Sequence, residues 1–181
     1  VIEEIAFNGE FYNLMTSDRV YFDLNNRYIP QATLFPTRLD PELRSRLEEL
    51  NRRLATGFGL NLGITHTEFL VDPANGEVRL VETAARGGGV FISSHLIPLA
   101  CGIDAQGLLV RGALDEPVRF EPKDRLERAA GYACFYLPEG RVVKPPNTEE
   151  VEALPGVNRV LLKGLEPGTT TAGRPADKTM R

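Results

Sequence analysis

Two glutamates stand at spacings that could bind a metal ion. Residues 64–71 and 78–83 are predicted to form two strands, joined by the turn sequence DPANGE. Side chains alternate between the faces of a strand, so Glu68 and Glu82 can come close together if the turn pairs the strands. Two neighbouring carboxylates repel unless a cation lies between them, and Mg²⁺ prefers hard oxygen ligands. The spacing therefore predicts a magnesium site at Glu68 and Glu82.

An arginine and three glycines follow the second strand. Arg86 is in phase with Glu82 along the chain, and residues 87–89 are glycines. A guanidinium group can grip a phosphate oxygen with its planar fork, and glycines let backbone N–H groups approach the same anion. Each signal alone is more typical of a solvated ion pair or a flexible turn. Together, inward-facing acids with an arginine in phase favour a phosphate site, because unpaired carboxylates are costly to bury.

The surrounding pattern indicates the elements that hold these residues. Residues 1–5 and 11–15 are predicted to pair through the turn Asn8–Gly9. Asp40 and Pro41 are typical of a helix N-terminus, and residues 91–102 are predicted to be helical. Residues 129–144 are predicted to form another hairpin. The chain is therefore predicted to be α+β, with an antiparallel sheet, flanking helices and a small β-rich C-terminal domain.

Composition excludes several classes of protein. The 181 residues are 42% hydrophobic and carry a net charge of -4 with a pI near 5.3, which argues against a nucleic-acid partner. No apolar run approaches the roughly 20 residues that span a membrane, and no signal peptide is evident. With two lone cysteines and two histidines, a disulfide framework and a zinc site are not expected. We expect a cytoplasmic protein.

The segment GITHTEFLVDPANGEVRLVETAARGGG resembles the ATP-grasp superfamily. Within that superfamily it is similar to the carboxylate-amine ligase branch, which includes L-amino acid ligases. The resemblance implies that Glu68 and Glu82 bind magnesium, or manganese, and that Arg86 contacts a phosphate or an acyl phosphate. It implies an enzyme that uses ATP to phosphorylate a small carboxylate substrate, which an amine then attacks.

The first residues, VIEEIAFNGEF, are similar to a second segment of the superfamily. That resemblance implies that backbone groups of Glu3, Glu4 and Ala6 lie along the adenine of ATP. It implies that Glu10 holds the ribose hydroxyls, for which the alternative is an exposed hairpin residue. Leu70, two residues after Glu68, would cover the adenine ring.

Five further residues are candidates for contacting the substrate. Gly87, Gly88 and Gly89 would do so through their backbone. His66 is in phase with Glu68 and would line the pocket, although a packed strand histidine is as good an interpretation. Ser93 would contact a carboxylate, and a helix-capping serine is the alternative.

The chain departs from the superfamily pattern in two ways. Ala84 stands where the superfamily usually has a metal-binding asparagine, which removes one metal contact. The phosphate-binding lysines of the superfamily lie in an upstream subdomain, and this chain has no lysine before Lys123. The chain begins inside a β-like run and ends without a capping signal, so we expect a truncated segment that is inactive by itself.

The resemblance divides the chain into three parts. Residues 1–115 are expected to be the subdomain with the nucleotide and magnesium half-site, residues 116–128 a linker, and residues 129–181 the β-rich domain. A homodimer is expected, without nucleic acid or membrane. Three alternatives stay open. They are another ATP-grasp enzyme (biotin-carboxylase-like, purine-pathway or carbamoyl-phosphate-like), a non-catalytic ATP-grasp-derived binding module, and a structural domain whose acids lie on the surface.

Overall fold

Four antiparallel strands form the sheet that carries the predicted site in this computed structural model. The sheet has the order β2-β1-β5-β6 and consists of β1 (Ile2–Phe7), β2 (Glu10–Thr16), β5 (Leu62–Val71) and β6 (Val78–Ala84). The structure describes residues 1–24, 28–118, 121, 125–162 and 164–173. Both predicted hairpins of this sheet, β1–β2 and β5–β6, are confirmed.

The turn between β1 and β2 shows why the local sequence is sufficient to form this hairpin. Asn8 and Gly9 both have positive φ, 51° and 78°. A two-residue turn of this kind matches the right-handed twist of the strands and requires residues that tolerate positive φ. The hairpin places β1 between β2 and β5, and all six residues of β1 are buried.

Helices cover both faces of this sheet. On one face lies α1 (Pro41–Gly57), which begins where the Asp40 carboxylate accepts hydrogen bonds from two backbone N–H groups of the first turn. Its buried residues Leu47, Asn51 and Ala55 recur every four positions and form the stripe that faces the protein interior. The other face is covered by a π-helix (Ile92–Leu96), α2 (Ile97–Cys101) and α3 (Ala105–Ala113).

The hydrophobic core lies between β1, β5 and the helices that follow β6. Ile5 and Ile64 are cross-strand partners, and both are packed in one cluster with Ile92 and Ile97. Full burial of each such side chain contributes roughly 1.5–3 kcal/mol. The cluster therefore holds the π-helix against the sheet, and with it the C-terminal end of the glycine loop, residues 87–89.

Three shorter strands form a second sheet with the order β3-β4-β7. They are β3 (Asp18–Tyr21), β4 (Pro30–Phe35) and β7 (Ala130–Ala133). The predicted hairpin over residues 129–144 is wrong, because β7 pairs with β4 and not with the residues that follow it. A Cβ on Gly131 would lie 2.6 Å from the backbone oxygen of Thr33, so the glycine permits this close, long-range pairing.

The chain divides into two compact units. One consists of Val1–Tyr21 and Gln31–Ala133, and the other of Phe22–Pro30 and Cys134–Arg181. The second contains α4 (Thr148–Glu152) and a two-stranded sheet of β8 (Gly140–Arg141) and β9 (Thr170–Thr171). In its described part each strand has two residues, so a β-rich domain is not confirmed.

The predicted domain boundaries stay a prediction. Strand β7 belongs to the first unit, whereas the sequence analysis places residues 129–133 in the C-terminal domain. Residues 119–120 and 122–124 of the predicted linker lie outside the described residues. In the described ranges no single helix is long and apolar enough to cross a membrane. One pair, Ile92–Cys101 with Ala105–Ala113, has the length and composition together but is bent by 115°.

Candidate metal and phosphate site

Glu68 and Glu82 lie directly opposite each other on β5 and β6. They are register partners, and a β-bulge follows Glu68. One candidate ligand atom from each of them and one from His66 all lie within 4.8 Å of one another. Glu68 is buried and Glu82 is exposed, so the cluster opens to solvent on one side. The predicted proximity of the two carboxylates is present, and their metal-binding role stays a prediction.

The donor set fits a hard divalent cation. Both ring nitrogens of His66 face carboxylates, with Nδ1 against Glu3 Oε1 and Nε2 at 3.1 Å from Glu68 Oε1. The imidazole is therefore engaged with carboxylates, and the oxygens of Glu68 and Glu82 are the candidate ligands. Mg²⁺ is typically bound by one or two carboxylates, with water and substrate phosphates completing its shell. The exposed side at Glu82 leaves room for both.

Arg19 belongs to the site, and sequence reasoning missed it. Its Nη1 forms an ion pair with Glu68 Oε1, and the two side chains are 6% and 8% exposed. Arg19 lies on β3, which is a strand of the second sheet. The local sequence contains only an arginine between Asp18 and Val20 in a short strand. This pattern does not indicate that Glu68 is its partner.

The surroundings of His66 shift its pKa. Burial alone would lower the pKa of His66, but hydrogen bonds to Glu3 and Glu68 outweigh burial and raise that pKa above its ordinary value. The shift favours the imidazolium form between the two carboxylates.

The glycine loop is tied to this cluster through Gly88. Its N–H donates to Glu3 Oε2 at 3.0 Å, and a Cβ at this position would lie 2.4 Å from Glu3 Oε1. Gly87 packs against Ser93, whose Oγ would lie 2.5 Å from a Cβ on Gly87. Gly89 is exposed, and a Cβ at this position would have nothing within 4 Å. The loop thus has two glycines that are required by close packing and one that is not.

Arg86 lies exposed at the start of the loop. Its Nη1 donates to the carbonyl of Gly87 at 3.0 Å, which keeps the guanidinium beside the loop backbone. After the glycines, Val90 and Phe91 have positive φ of 53° and 59°. Such a backbone costs a β-branched or bulky residue about 1–3 kcal/mol and often marks a functional segment.

The predicted adenine contact of the β1 backbone stays a prediction. β1 is paired with β2 on one side and with β5 on the other. The backbone groups of Glu3, Glu4 and Ala6 therefore lie in the strand pairing of the sheet. All three residues are buried. The resemblance did not predict this pairing, because it does not say which strands flank the segment.

Glu10 and Leu70 lie far apart along the sheet, and their predicted contacts with ribose and adenine stay predictions. Glu10 pairs with Phe7, and Phe7 pairs with Leu62 at the start of β5. Leu70 is eight residues further along β5, which is roughly 26 Å at the rise of an extended strand. Glu10 is exposed and accepts a hydrogen bond from Tyr12. Leu70, 51% exposed and near Glu68, stays a candidate.

Glu4 lies on the opposite face of the sheet, against α1. Asn51 Nδ2 donates to Glu4 Oε2 at 2.7 Å, while Glu4 Oε1 and Asn51 Oδ1 are buried without a partner among the described residues. A proton on Glu4 would supply the missing donor for this carboxyl–amide pair. Burial raises the pKa of Glu4 from 4.5 to about 7, although the charge of Arg52 opposes the shift.

Glu4→Gln is expected to remove a pH dependence of folding. Since the folded pKa is raised, the stability from this group is complete below the unfolded pKa and is lost as pH rises through about 7. The loss is about 3 kcal/mol by linkage. Urea unfolding at pH 5 and pH 8 should show a smaller fall for Glu4→Gln than for the wild type. Glu77→Gln is the control, because Glu77 is exposed and its charge does not shift the pKa of Glu4. Identical pH dependence in all three proteins would contradict the assignment.

Solved structures match this chain over most of its length. An L-amino acid ligase from Bacillus licheniformis matches 96% of this chain and 42% of its own, with a TM-score of 0.77 and 24% identity. The N5-carboxyaminoimidazole synthase of Aspergillus clavatus, in complex with ADP and 5-aminoimidazole ribonucleotide, matches 94% of this chain and 44% of its own. The TM-score is 0.60 and the identity 16%. A third match is the biotin carboxylase domain of Hydrogenobacter thermophilus 2-oxoglutarate carboxylase, in complex with MgADP, ADP and bicarbonate. It matches 70% of this chain and 27% of its own, with a TM-score of 0.54 and 21% identity.

The chain therefore spans less than half the length of each of these proteins. Its sequence matches no family model and no curated protein. The matched structures are ATP-grasp enzymes, and at these identities the likeness is one of fold. The chain has the fold of the corresponding part of ATP-grasp enzymes and is similar in structure to an L-amino acid ligase, as the sequence resemblance predicted.

Proposed function

We propose that this chain is part of an ATP-dependent carboxylate-amine ligase and contributes the metal and phosphate half of its active site. One observation carries the proposal. Glu68 and Glu82 face each other beside the loop of Arg86, on a fold shared with an L-amino acid ligase. A solvent-open pair of carboxylates next to an arginine and glycines has the chemistry to hold a metal–nucleotide complex.

The proposed reaction proceeds in two steps, phosphorylation of a carboxylate and attack by an amine. A substrate carboxylate oxygen forms a bond to the γ-phosphorus of ATP while the bond to the bridging oxygen of ADP breaks. An amine nitrogen then bonds to the acyl carbon, the bond to phosphate oxygen breaks, and the amine loses a proton. The products are an amide, ADP and inorganic phosphate.

Catalysis in this proposal is mainly control of charge. When bound, Mg²⁺ would supply positive charge to the transferring phosphate oxygens, and Glu68 and Glu82 would hold it. Arg86 would stabilise charge on the transferred group through its guanidinium fork. Arg19 fixes the carboxylate of Glu68 from the protein side. Leu70 is exposed two residues beyond Glu68 and would pack against the adenine.

A trapping experiment tests the proposal on the full-length protein. The protein is incubated with Mg²⁺, ATP and a panel of amino acids or other small carboxylates, with hydroxylamine in place of the amine. An acyl phosphate intermediate would yield a hydroxamate and one ADP for each hydroxamate. ADP without hydroxamate across the panel would favour a different ATP-grasp reaction. The absence of Mg²⁺-dependent ADP release would favour the non-catalytic module.

Arg86→Lys is expected to lower kcat about 100-fold, because a lysine keeps the charge but loses the two-pronged contact with phosphate. The affinity for Mg²⁺ should change little, since Arg86 contacts only the carbonyl of Gly87 in the described structure. Steady-state ADP release measures kcat. Arg79→Lys is the matched control, because Arg79 is exposed on β6, the strand that precedes Arg86, and is bound to Glu77. Equal kcat in the two variants would remove Arg86 from the phosphate site.

We also propose a homodimer and a cytoplasmic location, as expected from the sequence. Substrate contacts of Gly87, Gly88, Gly89 and Ser93 are proposed from their place in and beside the loop. Ala84 pairs in register with His66, so the position of the usual asparagine is next to the proposed metal site but offers no ligand.

A further inference from the structure

A continuous row of buried hydrogen bonds links the glycine loop to the proposed metal ligand. Gly88 N–H donates to Glu3 Oε2 at 3.0 Å, Glu3 Oε1 contacts His66 Nδ1, and His66 Nε2 lies 3.1 Å from Glu68 Oε1. The side chains of Glu3, His66 and Glu68 are 0%, 4% and 8% exposed. The row is short, and each ring nitrogen of His66 faces a different carboxylate.

Packing of the sheet does not require these polar residues. Glu3 and His66 are register partners on β1 and β5, and the next pair on the same face is Ile5 with Ile64. An apolar pair would therefore satisfy the core at lower cost, because buried charged groups must recover their lost hydration through hydrogen bonds. Networks of this kind rigidify their surroundings when every member is satisfied.

We propose that Glu3 and His66 are positioning residues that hold Glu68 and the glycine loop at a fixed separation. His66 orients the carboxylate of Glu68 through its Nε2. The carboxylate of Glu3 binds both the Gly88 N–H and the Nδ1 of His66. The loop that carries Arg86 at its start is thereby tied to the metal ligand. This inference rests on the proposed function and adds to it a coupling between the metal site and the phosphate-binding loop.

Two substitutions of His66 can separate its link to Glu3 from its link to Glu68. An asparagine at position 66 places its amide near the position of Nδ1 and keeps the link to Glu3. A glutamine reaches the position of Nε2 and keeps the link to Glu68. Hydrogen-bond partners of metal ligands typically affect metal affinity about 10–100-fold. His66→Gln should therefore retain metal affinity, and His66→Asn should lose it.

The test uses Mn²⁺ alone as the probe, with free Mn²⁺ quantified by electron paramagnetic resonance. We expect His66→Gln to bind Mn²⁺ within about threefold of the wild type, and His66→Asn about 10-fold or more weakly. Hydrogen exchange of residues 87–89 should show the reverse order, with faster exchange in His66→Gln because Glu3 loses its support. His95→Gln and His95→Asn are matched controls, since His95 is bonded to Ser94 and lies outside the row.

Two outcomes would overturn the positioning role of His66, and a third would overturn the metal site itself. A loss of Mn²⁺ affinity of tenfold or more in folded His66→Gln would overturn the positioning role, whatever His66→Asn does. Hyperfine coupling from an imidazole nitrogen to bound Mn²⁺ would also overturn it, because His66 would then be a ligand. A wild-type protein that does not bind Mn²⁺ would overturn the metal site of the proposed function itself, so the two failures are distinguishable.

Discussion

Glu82→Gln is expected to lower Mg²⁺-dependent ATP turnover by the full-length protein at least about 100-fold, the effect of removing one electrostatic group from an active site. Glutamine has nearly the same size but no charge, so the proposed cation loses one of its two carboxylates. Glu82 is exposed, and its replacement should change the free energy of unfolding by less than about 0.5 kcal/mol. ADP release over a range of Mg²⁺ concentrations and urea unfolding measure the two quantities.

Glu68→Gln should affect turnover as strongly but differ in its effect on folding. Glu68 Oε1 is the acceptor for both Arg19 and His66, and these side chains are almost completely buried. Removing one member of a buried ion pair leaves the other charge uncompensated and costs about 3–5 kcal/mol. The pair of variants therefore separates metal binding, which needs both carboxylates, from stability, which depends on Glu68.

Glu77→Gln is the control for both variants. Glu77 lies at the β5–β6 turn, is exposed, and contacts Arg79. Its replacement should leave turnover and stability near those of the wild type, because exposed ion pairs contribute little. A Glu82→Gln protein with unchanged Mg²⁺ dependence would remove Glu82 from the metal site and leave Glu68 as a structural ion-pair partner.

Local signals in the sequence were sufficient for the hairpin that carries one half of the site, but not for its register at the two glutamates. The turn sequence DPANGE closes the β5–β6 hairpin, and that register alone would place Glu68 opposite Val81. A β-bulge shifts the pairing by one residue, so that Glu68 lies opposite Glu82. Asn8 and Gly9 similarly determine the β1–β2 hairpin. These predictions depend on residues a few positions apart, for which turn chemistry and periodicity contain the needed information.

The other half of the site depends on long-range pairing. Periodicity indicates that Glu3 shares a face with Ile5, two residues along the strand. It does not indicate that β5 lies next to β1, which brings His66 opposite Glu3. Arg19 comes from a different sheet, so no spacing along the chain relates it to Glu68. The same limit explains the predicted hairpin over residues 129–144, because β7 pairs with a strand about one hundred residues earlier.

Gly88→Ala is expected to impair both folding and the site, because the loop and the buried row meet at Gly88. The new Cβ would lie 2.4 Å from Glu3 Oε1, 2.8 Å from His66 Nδ1 and 2.9 Å from Ile92 Cδ1. Glu3 and His66 are held by each other and cannot both withdraw while keeping their hydrogen bonds. Overpacking of this kind costs about 1–3 kcal/mol, which lowers Tm by roughly 2–4 °C for each kcal/mol in a chain of this size.

Gly89→Ala is the matched control one residue away. A Cβ at Gly89 would have nothing within 4 Å, so its Tm should stay within about 2 °C of the wild type. Mn²⁺ affinity should fall about tenfold or more in Gly88→Ala and remain unchanged in Gly89→Ala, because displacement of His66 also displaces Glu68. If Gly88→Ala loses stability while its Mn²⁺ affinity is unchanged, the row of hydrogen bonds is a packing feature and the glycine loop and the metal ligand are independent.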